Sequence, residues 1–277
     1  MPYRHETCKA GKTKQHTYYY ATRSDTKEGS RRQKENKTSE AQKKVNSRQA
    51  IKKLTWILNE NFDSTSLYIT WSYEKDKRPA GKEELRADVE KLLRDIRKAY
   101  KQAGDVAKYV WVAEVGERGA AHVHMVLNAI EIVKLKKCWD KGWITIKPLD
   151  ESGQYRKLAS YFVKYSEKTM KTCEGFSGRR YNSSKNLKIP QPTKTTVRSK
   201  NAYNHTIEIP KGWYLDKDSV AEAWHEVTGF MYFTYTLIYD GTSRKRTKES
   251  YTLNLETGEV QITEKPRREK KQNESRI

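Results

Sequence analysis

The chain has 277 residues and carries 56 Lys and Arg against 35 Asp and Glu, a formal charge of +21. Hydrophobic residues make up 35% and charged residues 33%, too apolar for disorder throughout, and the length suits one enlarged domain or two small ones. No apolar run approaches the roughly 18 residues of a membrane-spanning helix, which excludes that class. The opening MPYRHETCKAGKTK lacks the apolar stretch of a secretory signal, and Cys8, Cys138 and Cys173 form no CxxC pair. A reducing cytoplasm is therefore the expected setting, without a disulfide framework or a Cys-built zinc site. A pI near 9.7, with 18 Tyr and 7 Trp, points to a polyanion whose bases can be stacked upon.

Residues 1–37 are polar and basic with no apolar period, and read as a flexible basic arm. A helix is predicted from Ser39, spaced from Gln42 as in a capping box, through Val45, Ile51, Leu54 and Leu58 to Asn59. SLYITWSY (66–73) reads as a strand, closed by the charged, Pro-containing EKDKRPAG. The clearest helix follows, from Lys82 to just before Gly104: Leu85, Val89, Leu92, Leu93, Ile96 and Tyr100 recur at three- and four-residue spacing. KYVWVAEV (108–115) and HVHMVLN (122–128) read as strands joined by GERGAA into a hairpin. Residues 130–140 suggest a helix, WITIKPL (143–149) a strand, and Gln154 to Lys171 a helix. The first six of these elements, from residue 66, match the split βαββαβ order. The expected class is α+β: an antiparallel sheet with helices packed on it. Residues 175–200 carry turn signals and cations and read as an irregular strap; 230–240 reads as a strand, 251–262 as a hairpin, and the end as a charged tail. The domain reading is an arm over 1–37, a central domain over 38–190, and a β-rich accessory segment over 191–277. The basic cluster Arg244, Lys245 and Arg246 suggests that this last segment holds duplex DNA.

On a strand, alternate residues share a face, so His122 and His124 point the same way while Val123, Met125 and Leu127 point to a core. Alone, such a pair would be two incidental histidines. Glu114 strengthens it. It is the only acid inside the preceding strand, its face-mates Val110 and Val112 are apolar, and a carboxylate buried without a partner is costly. The hairpin would bring Glu114 beside the imidazoles, and two imidazoles with one carboxylate leave positions open for substrate oxygens. Glu117, in the turn, is the weaker candidate. Tyr161 and Tyr165 lie at i and i+4 on one helical face, each with a lysine one turn on, Lys164 and Lys168. A tyrosine hydroxyl can attack a phosphodiester when a metal polarises the phosphoryl oxygen, and a lysine can steady the charge. Tyr161 is favoured as nucleophile, with Tyr165 in reserve or the two acting in turn, since Ala159, Ser160 and Phe162 promise firmer packing than the polar neighbours of Tyr165. Gly11-Lys12-Thr13 ends like a phosphate loop but lacks the leading glycine and strand, so no ATPase is expected. His5, His16, His205 and His225 are read as solvated or structural.

YITWSY, then HVHMVLN preceded by Glu114, then YFVKYSEK resemble the three ordered motifs of the HUH (His-hydrophobic-His) endonucleases. More narrowly, they resemble rolling-circle replication-associated proteins of bacteria, plasmids and phages. The resemblance covers residues 40–190, with GRRYNSSKNL also in that style. It implies a ferredoxin-like core and a metal bound by Glu114, His122 and His124, with Thr70 and Ser72 in a structural first motif. It further implies a tyrosine that nicks single-stranded origin DNA and stays attached to the new 5′ end. Mg²⁺ or Mn²⁺ is the ion expected, single-stranded and duplex origin DNA the partners, and any helicase is supplied in trans. The alternatives are the same chemistry in transposition or conjugative transfer, and a non-catalytic nucleic-acid-binding protein.

Overall fold

The computed structural model of the chain describes residues 3–21, 39–116, 120–172, 179–197, 206–241, 247–253 and 260–264. Strands β1 (Tyr3–Ala10) and β2 (Thr13–Tyr20) precede helix α1 (Glu40–Asn61), strand β3 (Leu67–Ser72) and helix α2 (Lys82–Gln102). Then come β4 (Tyr109–Val115), β5 (Ala121–Leu127), a short α3 (Ile132–Lys136), β6 (Ile144–Pro148) and α4 (Arg156–Thr172). Seven further strands close the chain: β7 (Asn182–Ser183), β8 (Thr193–Thr196), β9 (Thr206–Ile209), β10 (Trp213–Trp224), β11 (Met231–Tyr239), β12 (Thr247–Leu253) and β13 (Val260–Glu264). Two compact units emerge, one of Cys8–Thr13 with Arg31–Pro192, the other of Met1–Thr7, Lys14–Ser30 and Thr193–Ile277.

In the first unit a five-stranded antiparallel sheet runs β6-β3-β5-β4-β7. β3 and β4 run the same way with β5 inserted between them, which is the split βαββαβ arrangement with α2 and α3 as crossovers. Period-2 alternation divides the sheet into two apolar faces. Leu67, Ile69, Trp71, Val123, Met125 and Leu127 pack against Leu85, Val89, Leu92 and Ile96 of α2. Val110, Val112 and Val126 on the opposite face pack against Leu54, Ile57 and Leu58 of α1 and Ala159, Phe162 and Val163 of α4. A fully buried side chain of this size contributes about 1.5–3 kcal/mol, so the two layers hold α4 firmly over β4 and β5. Ser39 caps α1 as expected, its hydroxyl accepting from Gln42 N at 3.2 Å, although the Gln42 side chain turns to Asn46 instead of closing the box. The helix expected over 130–140 covers only Ile132–Lys136, in which Leu135 is buried, while Cys138 and Trp139 beyond its end also join the core.

The N-terminal segment departs most from expectation. Where 1–37 reads as an arm, β1 and β2 are regular strands; residues 22–38 lie outside the described residues. Gly11-Lys12-Thr13 forms their turn and not a phosphate loop. Thr13 Oγ1 donates to Ala10 O at 2.7 Å, and Asn59 Nδ2 of α1 donates to Thr13 Oγ1 at 2.9 Å. Gly11 has φ +54°, and a Cβ there would lie 2.0 Å from Asn59 O, so only glycine fits this approach.

The second unit contains a sheet ordered β10-β11-β2-β1-β8 and a three-stranded sheet ordered β13-β12-β9, so the N-terminal strands are built into it. The strap expected over 175–200 contributes β7 to one sheet and β8 to the other. β10–β11 is a long antiparallel hairpin with a bulge between Asp216 and Ala221. The strands expected within 251–262 pair as β12 and β13, but their turn and Arg244, Lys245 and Arg246 lie outside the described residues. On one face of the larger sheet the rings of Tyr18, His5, His16 and Tyr235 stack in sequence. His16 is buried, and burial, His5 and Lys14 together push its pKa down to about 3. His5 and His16 are thus structural here; His205 lies outside the described residues. Cys8 and Cys138 are buried thiols outside any disulfide. No helix among the described residues is long and apolar enough to cross a membrane.

Candidate active site

β4 and β5 pair with Glu114 opposite His122 and Val112 opposite His124, so the three polar side chains emerge together at one end of an otherwise apolar face. His124 Nε2 lies 3.1 Å from Glu114 Oε2, with the Glu114 side chain 15% exposed and that of His124 8%. The second carboxylate oxygen of Glu114 accepts from Lys168 Nζ of α4 at 3.4 Å. The partner predicted for an acid in an apolar strand is therefore present, and there are two of them.

The other strand flanking β5 brings in Thr70 and Ser72 of the first motif, together with Tyr68, which the sequence does not single out. β3 pairs with β5 so that Thr70 faces His124 and Ser72 faces His122. The hydroxyls of Tyr68 and Thr70 lie 2.9 and 3.2 Å from His124 Nδ1, and Ser72 Oγ lies 3.0 Å from His122 Nδ1. Both imidazoles thus turn Nδ1 toward a row of hydroxyls and leave Nε2 on the side away from β3. A hydroxyl both donates and accepts, so this row serves either imidazole tautomer. Burial holds His124 below the ordinary histidine pKa and His122 adds to this, while the hydrogen bond and charge of Glu114 oppose it. The neutral imidazole that a metal requires is therefore the favoured form near neutral pH.

Two imidazoles with hydroxyl-anchored Nδ1 atoms and one carboxylate are a donor set that could hold a divalent ion, and the bonds to Nδ1 fix how the two rings are turned. The trio is adjacent without being drawn in around a point: the two imidazole centroids are 6.2 Å apart, and among the described residues no three His, Cys, Asp or Glu side chains form a ready-made ion site. Glu117 lies outside the described residues.

α4 brings its tyrosines to the same place, but in an order opposite to expectation. Tyr165 is the one held: its ring stacks on His124 at 4.5 Å between centroids and 11° between planes. Tyr161 is 56% exposed and stacks on the outer side of Tyr165 at 6.2 Å. The apolar neighbours of Tyr161 in sequence point to the core on the adjoining side of the helix, so they do not pack its ring. Burial, Glu114 and Tyr161 raise the Tyr165 pKa, while Lys168 lowers it. Lys168 reaches the site through Glu114, whereas Lys164 is exposed and makes no such contact among the described residues.

Residues 66–170 match the family model for replication-associated protein ORF2/G2P. The match runs from the start of β3 to the last turn of α4, a little over a third of the chain, and contains every candidate site residue. It ties this region to replication-associated proteins and to DNA as the material they handle. No curated protein and no solved structure matches the chain.

Proposed function

We propose that the chain is an HUH-type, metal-dependent endonuclease that nicks and rejoins single-stranded origin DNA to initiate rolling-circle replication. The observation that carries this reading is the stacking of Tyr165 on His124, beside Glu114 and within one turn of Lys168. A nucleophile, two imidazoles, a carboxylate and an ammonium meet on one wall of the sheet, as phosphodiester transesterification requires.

Glu114, His122 and His124 are the residues that would hold Mg²⁺ or Mn²⁺, which when bound supplies charge neutralisation at the phosphoryl oxygen. The Tyr68, Thr70 and Ser72 hydroxyls keep the imidazoles turned to that task. Tyr165 Oη attacks phosphorus; the new O–P bond forms as the bond to the 3′ oxygen breaks. The phenol gives up its proton and the departing 3′ oxygen takes one up, so charge balances and the 5′ end stays on the tyrosine, poised for rejoining. Lys168, beside Glu114, steadies the phenolate or the phosphate as a point charge. Tyr161, stacked on Tyr165, would follow it as a second nucleophile.

The test is Tyr161→Phe, Tyr165→Phe and the double variant, each assayed with and without chelator for covalent attachment to a labelled single strand. Loss in Tyr165→Phe is expected. Loss only in Tyr161→Phe would reverse the assignment, and loss only in the double variant means alternating nucleophiles. Attachment that survives the double substitution would remove the tyrosine mechanism. Binding without any cleavage by the wild type would leave a non-catalytic nucleic-acid-binding protein. Transposition and conjugative transfer use the same chemistry, and origin cleavage against transposon-end cleavage separates them.

A further inference from the structure

Among the described residues, β7 pairs with β4 at Val110 and Trp111 and Ser184 bonds both N and O of Tyr109, so β4 beyond Trp111 has no strand beside it on that edge. It offers nothing to an incoming strand, however. Val115 N donates to Thr169 Oγ1 at 3.0 Å, and Thr169 Oγ1 donates to Ala113 O at 3.3 Å, so one α4 side chain satisfies the free edge. A peptide adding to the sheet would find its ladder partners taken.

Beside this edge lies a cavity of about 210 Å³, bounded by the start of α2, by β4, by the last turns of α4 and by residues 179–182. Its apolar wall is Leu85, Val89, Trp111 and Met170, with Tyr181 as a second ring. Lys82, Arg86, Arg179 and Arg180 supply the cationic side, and among the described lining residues there is neither Asp nor Glu. Arg86 and Arg180 pair through Nε with Glu90 and Glu167, which offsets part of their charge and fixes the planes of the two guanidinium groups. Ser166 and Asn182 add groups that both donate and accept. An aromatic-lined recess with a guanidinium pair at its mouth selects a flat, apolar-faced, polar-edged group bearing a phosphate.

We propose that this cavity binds one unstacked nucleotide of a single-stranded DNA, its base against Trp111 and Met170 and its phosphate on Arg179 and Arg180. The proposal rests on the function argued above and adds a second place where the strand is held. Ala113 lines the cavity and Glu114, the next residue, faces the tyrosine site; Thr169 and Lys168 divide in the same way. The two sites share β4 and α4 as walls, so a nucleotide anchored here restrains the strand being cut and contributes to the choice of cleavage position.

The experiment uses the full chain and a short oligothymidylate carrying one 5-iodouridine, irradiated and mapped by peptide mass spectrometry. Crosslinks at Trp111 or Tyr181 are expected, equally in the Tyr161→Phe/Tyr165→Phe variant. Arg179→Ala/Arg180→Ala should lower their yield at least about tenfold, as the loss of charge-assisted phosphate contacts implies. Met170→Trp, which fills the recess without touching the arginines, should do the same. Crosslinks confined to other residues, or yields unchanged in both cavity variants with unaltered melting curves, would overturn the pocket. If the wild type nicks in that case, the enzyme reading stands without it. Crosslinking at Trp111 in a protein that never nicks would keep the pocket and remove the enzyme. Equal competition by inorganic phosphate and by thymidine monophosphate would reduce the site to an anion site and refute base recognition.

Discussion

Glu114→Gln separates the structural role of this carboxylate from its proposed role as a metal ligand. The amide has the same shape, so no cavity opens. The contact to His124 at 3.1 Å changes from charge-assisted to neutral, a difference of about 1 kcal/mol. The Lys168 pair contributes about 0.5 kcal/mol at most, because the lysine side chain is 47% exposed. Relief from burying a charge offsets part of this, so the chelated variant should be less stable by about 1 kcal/mol, or about 2–4 °C in Tm. Ion binding is the larger signal. At an ion concentration 100 times Kd the wild type gains about 2.7 kcal/mol. A hundredfold weaker site at the same concentration gains only about 0.4 kcal/mol. Differential scanning calorimetry with chelator, then with Mn²⁺, reads both numbers from one preparation. A variant whose Mn²⁺ increment equals that of the wild type would show that Glu114 is no ligand, whatever its effect on the chelated protein.

Tyr68→Phe alone should weaken ion binding little, since Thr70 remains 3.2 Å from His124 Nδ1, whereas Tyr68→Phe/Thr70→Val should weaken it about 10–100-fold; an unchanged Mn²⁺ titration in the double variant would refute the orienting role. His16, His5 and His124 all have folded pKa values below the ordinary 6.5, so the unfolded chain takes up protons first. Their stabilising contribution is complete above pH 6.5 and is lost as pH falls, for His16 down to about 3. Urea unfolding should therefore show stability falling by about 1.4 kcal/mol per pH unit for His16 alone, a slope that His16→Phe removes; equal slopes in the two proteins would reject the assignment. Gly11→Ala meets both a φ of +54° and a Cβ position 2.0 Å from Asn59 O, and should cost at least about 2 kcal/mol in urea unfolding; a cost within about 0.5 kcal/mol would mean that the turn does not seat on α1.

What the chain declares in its own sequence is what short-range pattern encodes. The three- and four-residue spacing from Leu85 to Tyr100 marks α2 because a helix needs one apolar stripe to bury. The alternation in HVHMVLN puts two imidazoles on one face because a strand repeats every two residues. The lone acid among valines implies a buried carboxylate with partners, and the hairpin puts the two imidazoles beside it; the tyrosine helix stands out only through the resemblance of the three ordered motifs. Three features needed the tertiary fold. β1 and β2 carry no apolar period; they are strands because residues near 194 and 235, almost the whole chain away, sit beside them. The hydroxyls of Tyr68, Thr70 and Ser72 reach the histidines only because β3 enters between β5 and β6, and nothing local to residues 67–72 specifies that neighbour. The order of the two tyrosines, finally, depends on how α4 lies across β5. A helical repeat puts Tyr161 and Tyr165 on one face, but only packing of Phe162 and Val163 against the sheet decides which ring rests on His124 and which stands in solvent.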